Sequence, residues 1–264
     1  MRREIEPVMR GARIERVLLR RANLRRPFPA NLAEQVAGTT VRAVTRRGKY
    51  LLGDLSSDET LLMHLGMSGS IRIERGHVEP EPHDHVVFEL SSGASVVFND
   101  PRRFGVLDLV PTAEIDRRPP LSALGPEPLS AAFDGSELAR ACRGKRMALK
   151  VALLDQRVVA GLGNIYASEA LHLARLSPRQ RAARIATLSG QPRDSAHRLA
   201  DAIKRVLERA IARQSGGAYR GAAFRVYDRA GERCPNRGCE GTIRRLTQAG
   251  RSTFYCPACQ KLAR

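Results

Sequence analysis

Residues 234–259 read "CPNRGCEGTIRRLTQAGRSTFYCPAC" and decide how the C-terminal region folds. Cys234 and Cys239 have four residues between them, Cys256 and Cys259 have two, and sixteen separate the pairs. Four thiolates in two close pairs suit a closed tetrahedral site, so one structural Zn2+ held by Cys234, Cys239, Cys256 and Cys259 is expected, its binding coupled to folding. A closed four-sulfur site leaves no position for substrate, and catalysis must lie elsewhere. Between the pairs, two strands joined at Gln248-Ala249-Gly250 place Arg251 near a hairpin tip. Its planar fork suits a phosphate, although an ordinary solvated arginine fits the spacing as well.

Outside this segment the chain is strongly basic. Its 264 residues carry 45 Lys plus Arg against 27 Asp plus Glu, a formal net charge of +18, with 42% hydrophobic residues. That is enough apolar residue for a real core, and the charge points to a polyanion: a membrane surface, ribosomal RNA or DNA. A GC-rich genome that favours arginine gives the same composition. No apolar run approaches the roughly 20 residues of a membrane span. The basic start lacks the apolar stretch of a signal peptide, and a cytosolic location is expected. In a reducing compartment, crowding of four of the five cysteines argues for metal over disulfides; Cys142 stands alone.

Residues 12–110 hold short strand-like segments, "RIERVLL", "TTVRAVTRRGKYLLGDL", "TLLMHLGMSGSIRI", "HVVFEL", "SVVFND" and "GVLDLV", punctuated by Gly, Ser, Asp and Pro. This is the pattern of a β-sandwich or barrel, with few helix signals. Before it, Ile5, Val8 and Met9 fall on one side of an uncapped helix. After the Pro-rich "RRPPLSALGPEPLS", Ala/Leu/Arg-rich stretches at 131–142, 146–156, 164–173 and 194–213 read as helices. "RQSGGAYRGAA" ends the last of them, and "FRVYDRAGERC" opens the cysteine-bearing tail. The expected class is α+β, with domains at 1–120, 121–222 and 223–264.

Several loops carry unusual residues. "HLGMSGS" sets Met67 in a Gly/Ser turn, and "NDPRRFGV" sets Arg102, Arg103 and Phe104 between Pro and Gly. Exposed Met and Phe beside arginine fit wedges pushed into a base stack; each also fits a loop anchor packed onto the core. "GLGNIYASEAL" is a Gly-rich turn opening a helix at Asn164, where backbone N–H groups and the amide can hold a phosphate. It lacks the dinucleotide-binding spacing. Lys145 and Lys150 just upstream add charge, or simply a solvated face. "RRGKYLL" puts Lys49 at the start of an apolar strand, as a phosphate contact, a proton donor or a protective edge charge. "PHDHVV" offers His83 and His85 on one strand face, better suited to DNA contact or exposure than to metal.

Taken in order, "IEPVMRGARI", "RRGKYLL", "MHLGMSGSIRI", "HDHVVFEL", "NDPRRFG", "LGPEPLS", "GLGNIYASEAL" and "GRSTFYCPACQ" resemble the formamidopyrimidine-DNA glycosylases along nearly the whole chain. Those bifunctional enzymes excise oxidised purines such as 8-oxoguanine and formamidopyrimidines, then nick the abasic strand by β,δ-elimination. The resemblance implies an N-terminal β-sandwich, a helical domain with a helix–two-turn–helix motif, a C-terminal zinc hairpin and a cleft for double-stranded DNA, the protein acting as a monomer. It implies that Met67, Arg102 and Phe104 fill the gap left by an extruded base. Asn164 and Arg251 correspond to phosphate-binding residues, and His83, Lys145 and Lys150 to further DNA contacts. Lys49 corresponds to the proton donor for β-elimination, and Arg251 also sits where the δ-elimination donor lies. The Met-Arg-Phe set favours this branch over the related endonuclease VIII enzymes.

Two stretches depart from the family pattern. Members carry "PELPEVET" after the initiator methionine, its Pro supplying the nucleophilic amine and the following Glu the acid/base partner; Met1 aligns just past that segment. A GUG codon read as a start is written Met, so the gene's start is expected upstream. At "SGGAYRGAAFRVYDR" the loop that covers extruded 8-oxoguanine in the family is nearly absent, which predicts better tolerance of ring-opened purines or abasic sites than of 8-oxoguanine. The expected function is a base-excision-repair glycosylase and abasic-site lyase, impaired without its Pro-Glu segment. The alternatives are a catalytically silent protein that binds damaged DNA, or a zinc-ribbon RNA-associated factor, which leaves the ordered motifs unexplained.

Overall fold

A computed structural model describes residues 1–76, 78–214 and 224–262. The chain divides into two compact units, Met1–Ser122 and Ala123–Arg264.

The first unit is a β-sandwich. Helix α1 (Arg2–Met9) turns Ile5 and Met9 into the core and is followed by β1 (Ile14–Leu19) and the short α2 (Leu32–Val36). Strands β2 (Val41–Arg47), β3 (Tyr50–Leu55), β4 (Glu59–His64), β5 (Ser70–Arg75), β6 (Asp84–Leu90), β7 (Ala94–Asn99) and β8 (Val106–Pro111) complete two antiparallel sheets. Their orders are β1-β6-β7-β5 and β2-β3-β4-β8. The period-2 rule explains the filling: Leu51 and Leu55 from β3 meet Val86, Phe88 and Leu90 from β6 and Val96 and Phe98 from β7 in one buried cluster. Phe88 is wholly enclosed, and its full burial is worth about 1.5–3 kcal/mol. Helix α2 was not foreseen; five residues offer too little periodicity.

The second unit is mainly helical. Helices α3 (Gly135–Cys142), α4 (Leu149–Leu154), α5 (Asn164–Leu173) and α6 (Asp194–Gln214) surround a core that includes Leu138, Leu149, Leu153, Leu171, Leu199 and Ile203. Asp134 caps α3 by accepting the Glu137 N–H at 2.9 Å. Between α4 and α5 the chain makes two turns fastened by Gln156, which donates to the Leu154 and Leu162 carbonyls and accepts the Gly161 N–H. Cys142 is buried among these helices, and burial pushes its thiol up to about 12, so it serves as a small apolar residue. Strands β9 (Arg244–Gln248) and β10 (Arg251–Tyr255) form the terminal hairpin. Its turn is Ala249-Gly250, both in the left-handed region with φ 47° and 71°, as a two-residue hairpin requires. Among the described residues no helix is long and apolar enough to cross a membrane.

Candidate metal centre and nucleic-acid interface

The four cysteines of the tail converge. Their sulfurs lie within 4.8 Å of one another, with Cys234 Sγ to Cys259 Sγ at 3.8 Å and Cys239 Sγ to Cys256 Sγ at 3.7 Å. A tetrahedron with metal–sulfur bonds of ~2.3 Å has edges of ~3.8 Å, which these two edges match, so the donor set suits zinc. Burial and the sulfurs of Cys234 and Cys256 push the Cys259 thiol up to about 12. Such a crowd of thiols ionises together only around a dication. Gly241 is required here: a Cβ would stand 2.7 Å from Cys256 Sγ and 2.5 Å from Ala258 Cβ. These residues hold one structural zinc ion.

A second cluster forms where α4, α5 and β10 meet. Lys150 is wholly buried, and its Nζ donates to Asn164 Oδ1 at 2.7 Å and to Thr253 Oγ1 at 3.4 Å. Asn164 Nδ2 in turn donates to the Ser252 carbonyl at 3.0 Å. Arg251, exposed at the start of β10, adds its charge: burial first, then Arg251, bring Lys150 down to about 8. Two cations and an oriented amide with neutral partners are short of negative charge. Lys150, expected as a surface DNA contact, is thus an internal group that sets the Asn164 amide. Lys145 is half-buried in the loop before α4, with its carbonyl accepting the Ala183 N–H.

On the sandwich, Met67 and Phe104 are solvent-exposed, Met67 to 73%. The Arg102 guanidinium lies 4.7 Å from the Phe104 ring centroid. Asp100, fully buried, joins the two loops: it accepts the Ser68 hydroxyl at 2.7 Å and the Gly105 N–H at 2.7 Å. Gly66, at φ 64°, comes so close to the Phe104 carbonyl that a Cβ would sit 2.5 Å from its carbon. The loops therefore present Met67, Arg102 and Phe104 as one set.

Two placements correct the sequence reading. Lys49 lies with Gly48 in the turn between β2 and β3, exposed, and does not belong to the strand. Its charge, after burial, helps hold the His64 imidazole below its usual value, and His64 Nδ1 accepts the Gly66 N–H at 2.9 Å. His83 and His85 do not share a strand face: His83 is exposed in a turn at φ 71°, while His85 is buried with Nε2 2.9 Å from the Asp100 carbonyl oxygen. A strand was assumed one residue too early.

Sequence reasoning missed Asp100, Ser68, His64, Thr253 and Glu169. Glu169 is buried on α5 and accepts the backbone N–H groups of Arg225, Val226 and Tyr227 at 2.8–2.9 Å. The "SGGAYRGAA" loop, read above as shortened, lies outside the described residues.

A four-thiolate zinc hairpin, a lysine–amide pair beside an exposed arginine, and exposed Met67 and Phe104 beside Arg102 are features of a zinc-bearing DNA-binding protein. Comparison with known proteins makes the class particular. Residues 1–107 match the formamidopyrimidine-DNA glycosylase N-terminal domain, 124–220 its H2TH domain, and 231–262 the zinc finger found in FPG and IleRS. A formamidopyrimidine-DNA glycosylase from a Bradyrhizobium species is 52% identical, covering 99% of this chain and 97% of the relative. One from Rhodopseudomonas palustris is 52% identical, covering 97% and 95%. Among solved structures, the Lactococcus lactis enzyme bound to DNA containing an AP site superposes with TM-score 0.86 at 31% identity, covering 98% and 96%. MutM in complex with DNA containing carbocyclic 8-oxo-G superposes with TM-score 0.87 at 30% identity, covering 98% and 96%. The chain belongs to the formamidopyrimidine-DNA glycosylase family.

Proposed function

We propose that the protein removes oxidised purines from double-stranded DNA in base-excision repair and nicks the resulting abasic strand, working as a monomer on the chromosome in the cytoplasm. The observation that carries this reading is the Lys150–Asn164–Arg251 cluster, whose shortage of negative charge suits the backbone phosphates beside an extruded nucleotide. Relatives at 52% identity bear the glycosylase name, and structural neighbours hold DNA with an abasic site or 8-oxo-G.

In this reading Met67, Arg102 and Phe104 fill the space of the flipped nucleotide, and His83, Lys145, Asn164 and Arg251 hold phosphates. An amine attacks the anomeric carbon, the base departs, and the Schiff base acidifies the adjacent C2′ proton so that elimination breaks the strand. Lys49 serves as proton donor in β-elimination and Arg251 in δ-elimination. The zinc holds the hairpin that carries Arg251 and takes no part in the chemistry.

The test is borohydride trapping on duplexes containing an abasic site or 8-oxoguanine, with the chain from Met1 and with a chain extended by its in-frame upstream codons. A covalent adduct from either chain supports the lyase. Binding with no adduct from both overturns it in favour of a silent binder of damaged DNA.

A further inference from the structure

The zinc centre has a further neighbour on α5. His172, near the C-terminal end of α5, is wholly buried, and its Nε2 lies 3.3 Å from Cys234 Sγ. Asn236 Nδ2 lies 3.2 Å from the same Nε2 and 3.2 Å from Cys259 Sγ. His172 Nδ1 is buried and has no hydrogen-bond partner among the described residues. A neutral imidazole carries one N–H, on Nδ1 or on Nε2.

The position of that proton follows from what each choice leaves unpaired. With the proton on Nδ1, a buried N–H is orphaned, and the Nε2 lone pair, though it can accept from Asn236 Nδ2, also faces the Cys234 sulfur 3.3 Å away. With the proton on Nε2, the N–H donates to the thiolate, a charge-assisted bond, and the orphan is only an acceptor lone pair. Orphaned buried donors are the rarer and costlier case. Asn236 then gives its amide N–H to Cys259, so Cys234 and Cys259 each receive a side-chain donor.

We propose that His172 is a positioning residue of the zinc centre: its Nε2–H donates to the Cys234 thiolate, withdraws charge from the metal–sulfur cluster and ties it to α5. The same helix opens at Asn164, so one rigid element joins the metal centre to the phosphate cluster. Hydrogen bonds of this outer kind fix ligand orientation and tune the metal.

The test uses the full chain loaded with 113Cd in place of zinc. A correlation between the metal and the His172 Nε2 proton, across the N–H···S bond, is the expected result. A ring protonated at Nδ1 with no such correlation overturns the proposal without any variant. In parallel, zinc affinity is measured by competition with a chromophoric chelator. His172→Phe, which keeps an aromatic ring and removes the donor, weakens zinc binding by about tenfold, and His172→Gln, which restores an N–H, recovers part of the loss. Equal losses in both variants would reduce the residue to packing and overturn the proposal. None of these readouts depends on glycosylase activity.

Discussion

Lys150 and Asn164 form a buried hydrogen-bonded pair, Nζ to Oδ1 at 2.7 Å, in which a lysine with neutral partners sets the orientation of an amide. The pair joins α4 to the first residue of α5 across the two turns, so the motif's geometry rests on a group that burial tends to deprotonate.

That tendency gives a pH signature. Lys150 titrates near 8 when folded against an ordinary 10.5, so between these values the unfolded chain binds more protons and stability rises with pH. The penalty is complete below pH 8 and gone above 10.5, and amounts to at most about 3 kcal/mol. Urea unfolding of wild type against Lys150→Met across this range should show the difference growing in favour of wild type. A bound phosphate raises the lysine's pKa, so affinity for abasic-site DNA should fall as pH rises through 8, measured by fluorescence anisotropy.

Arg251 is exposed on the hairpin, and the proposed phosphate contact there would release one counterion. Arg251→Ala should lower the slope of log affinity against log salt by about 1 while leaving the fold intact. An unchanged slope would remove Arg251 from the interface. Asn164→Asp should act differently, placing a carboxylate beside Lys150 at the proposed phosphate site and lowering affinity at every salt concentration.

Asp100 and Met67 should separate stability from function. Asp100→Ala leaves the Gly105 N–H without its buried acceptor and should cost about 1–3 kcal/mol. Met67→Ala, at an exposed position, should change stability by less than about 0.5 kcal/mol. It should nonetheless slow base excision from duplex DNA more than strand nicking at a preformed abasic site, because the proposed wedge acts where a stacked base must be extruded.

Gly241→Ala should expel metal. Its added Cβ meets Cys256 Sγ and Ala258 Cβ inside van der Waals contact, so purified protein should carry well under one zinc per chain by elemental analysis, with DNA affinity reduced alongside.

The zinc ligands, the hairpin, helix α5 and the strands of the sandwich were all legible because each follows from local spacing. Cys256 and Cys259 can serve one metal only through turns whose form the spacing fixes, and β3 alternates as a half-buried strand must. What escaped was set by distant partners. Nothing near Lys150 says that Thr253 will lie over it, and nothing near Asp100 says that Ser68 will hydrogen-bond to it. The misplacement of Lys49 and His83 came from extending strands by a residue where left-handed or turn conformations intervene.

Glu169 holds three successive backbone N–H groups at residues 225–227, the point where the chain returns after α6. Whatever number of residues an evolving gene inserts or deletes between Gln214 and Phe224, the strand of polypeptide leading to the zinc hairpin is re-anchored at the same carboxylate. The register with which the chain enters the zinc hairpin is thereby set by α5 and not by the length of the segment that precedes it.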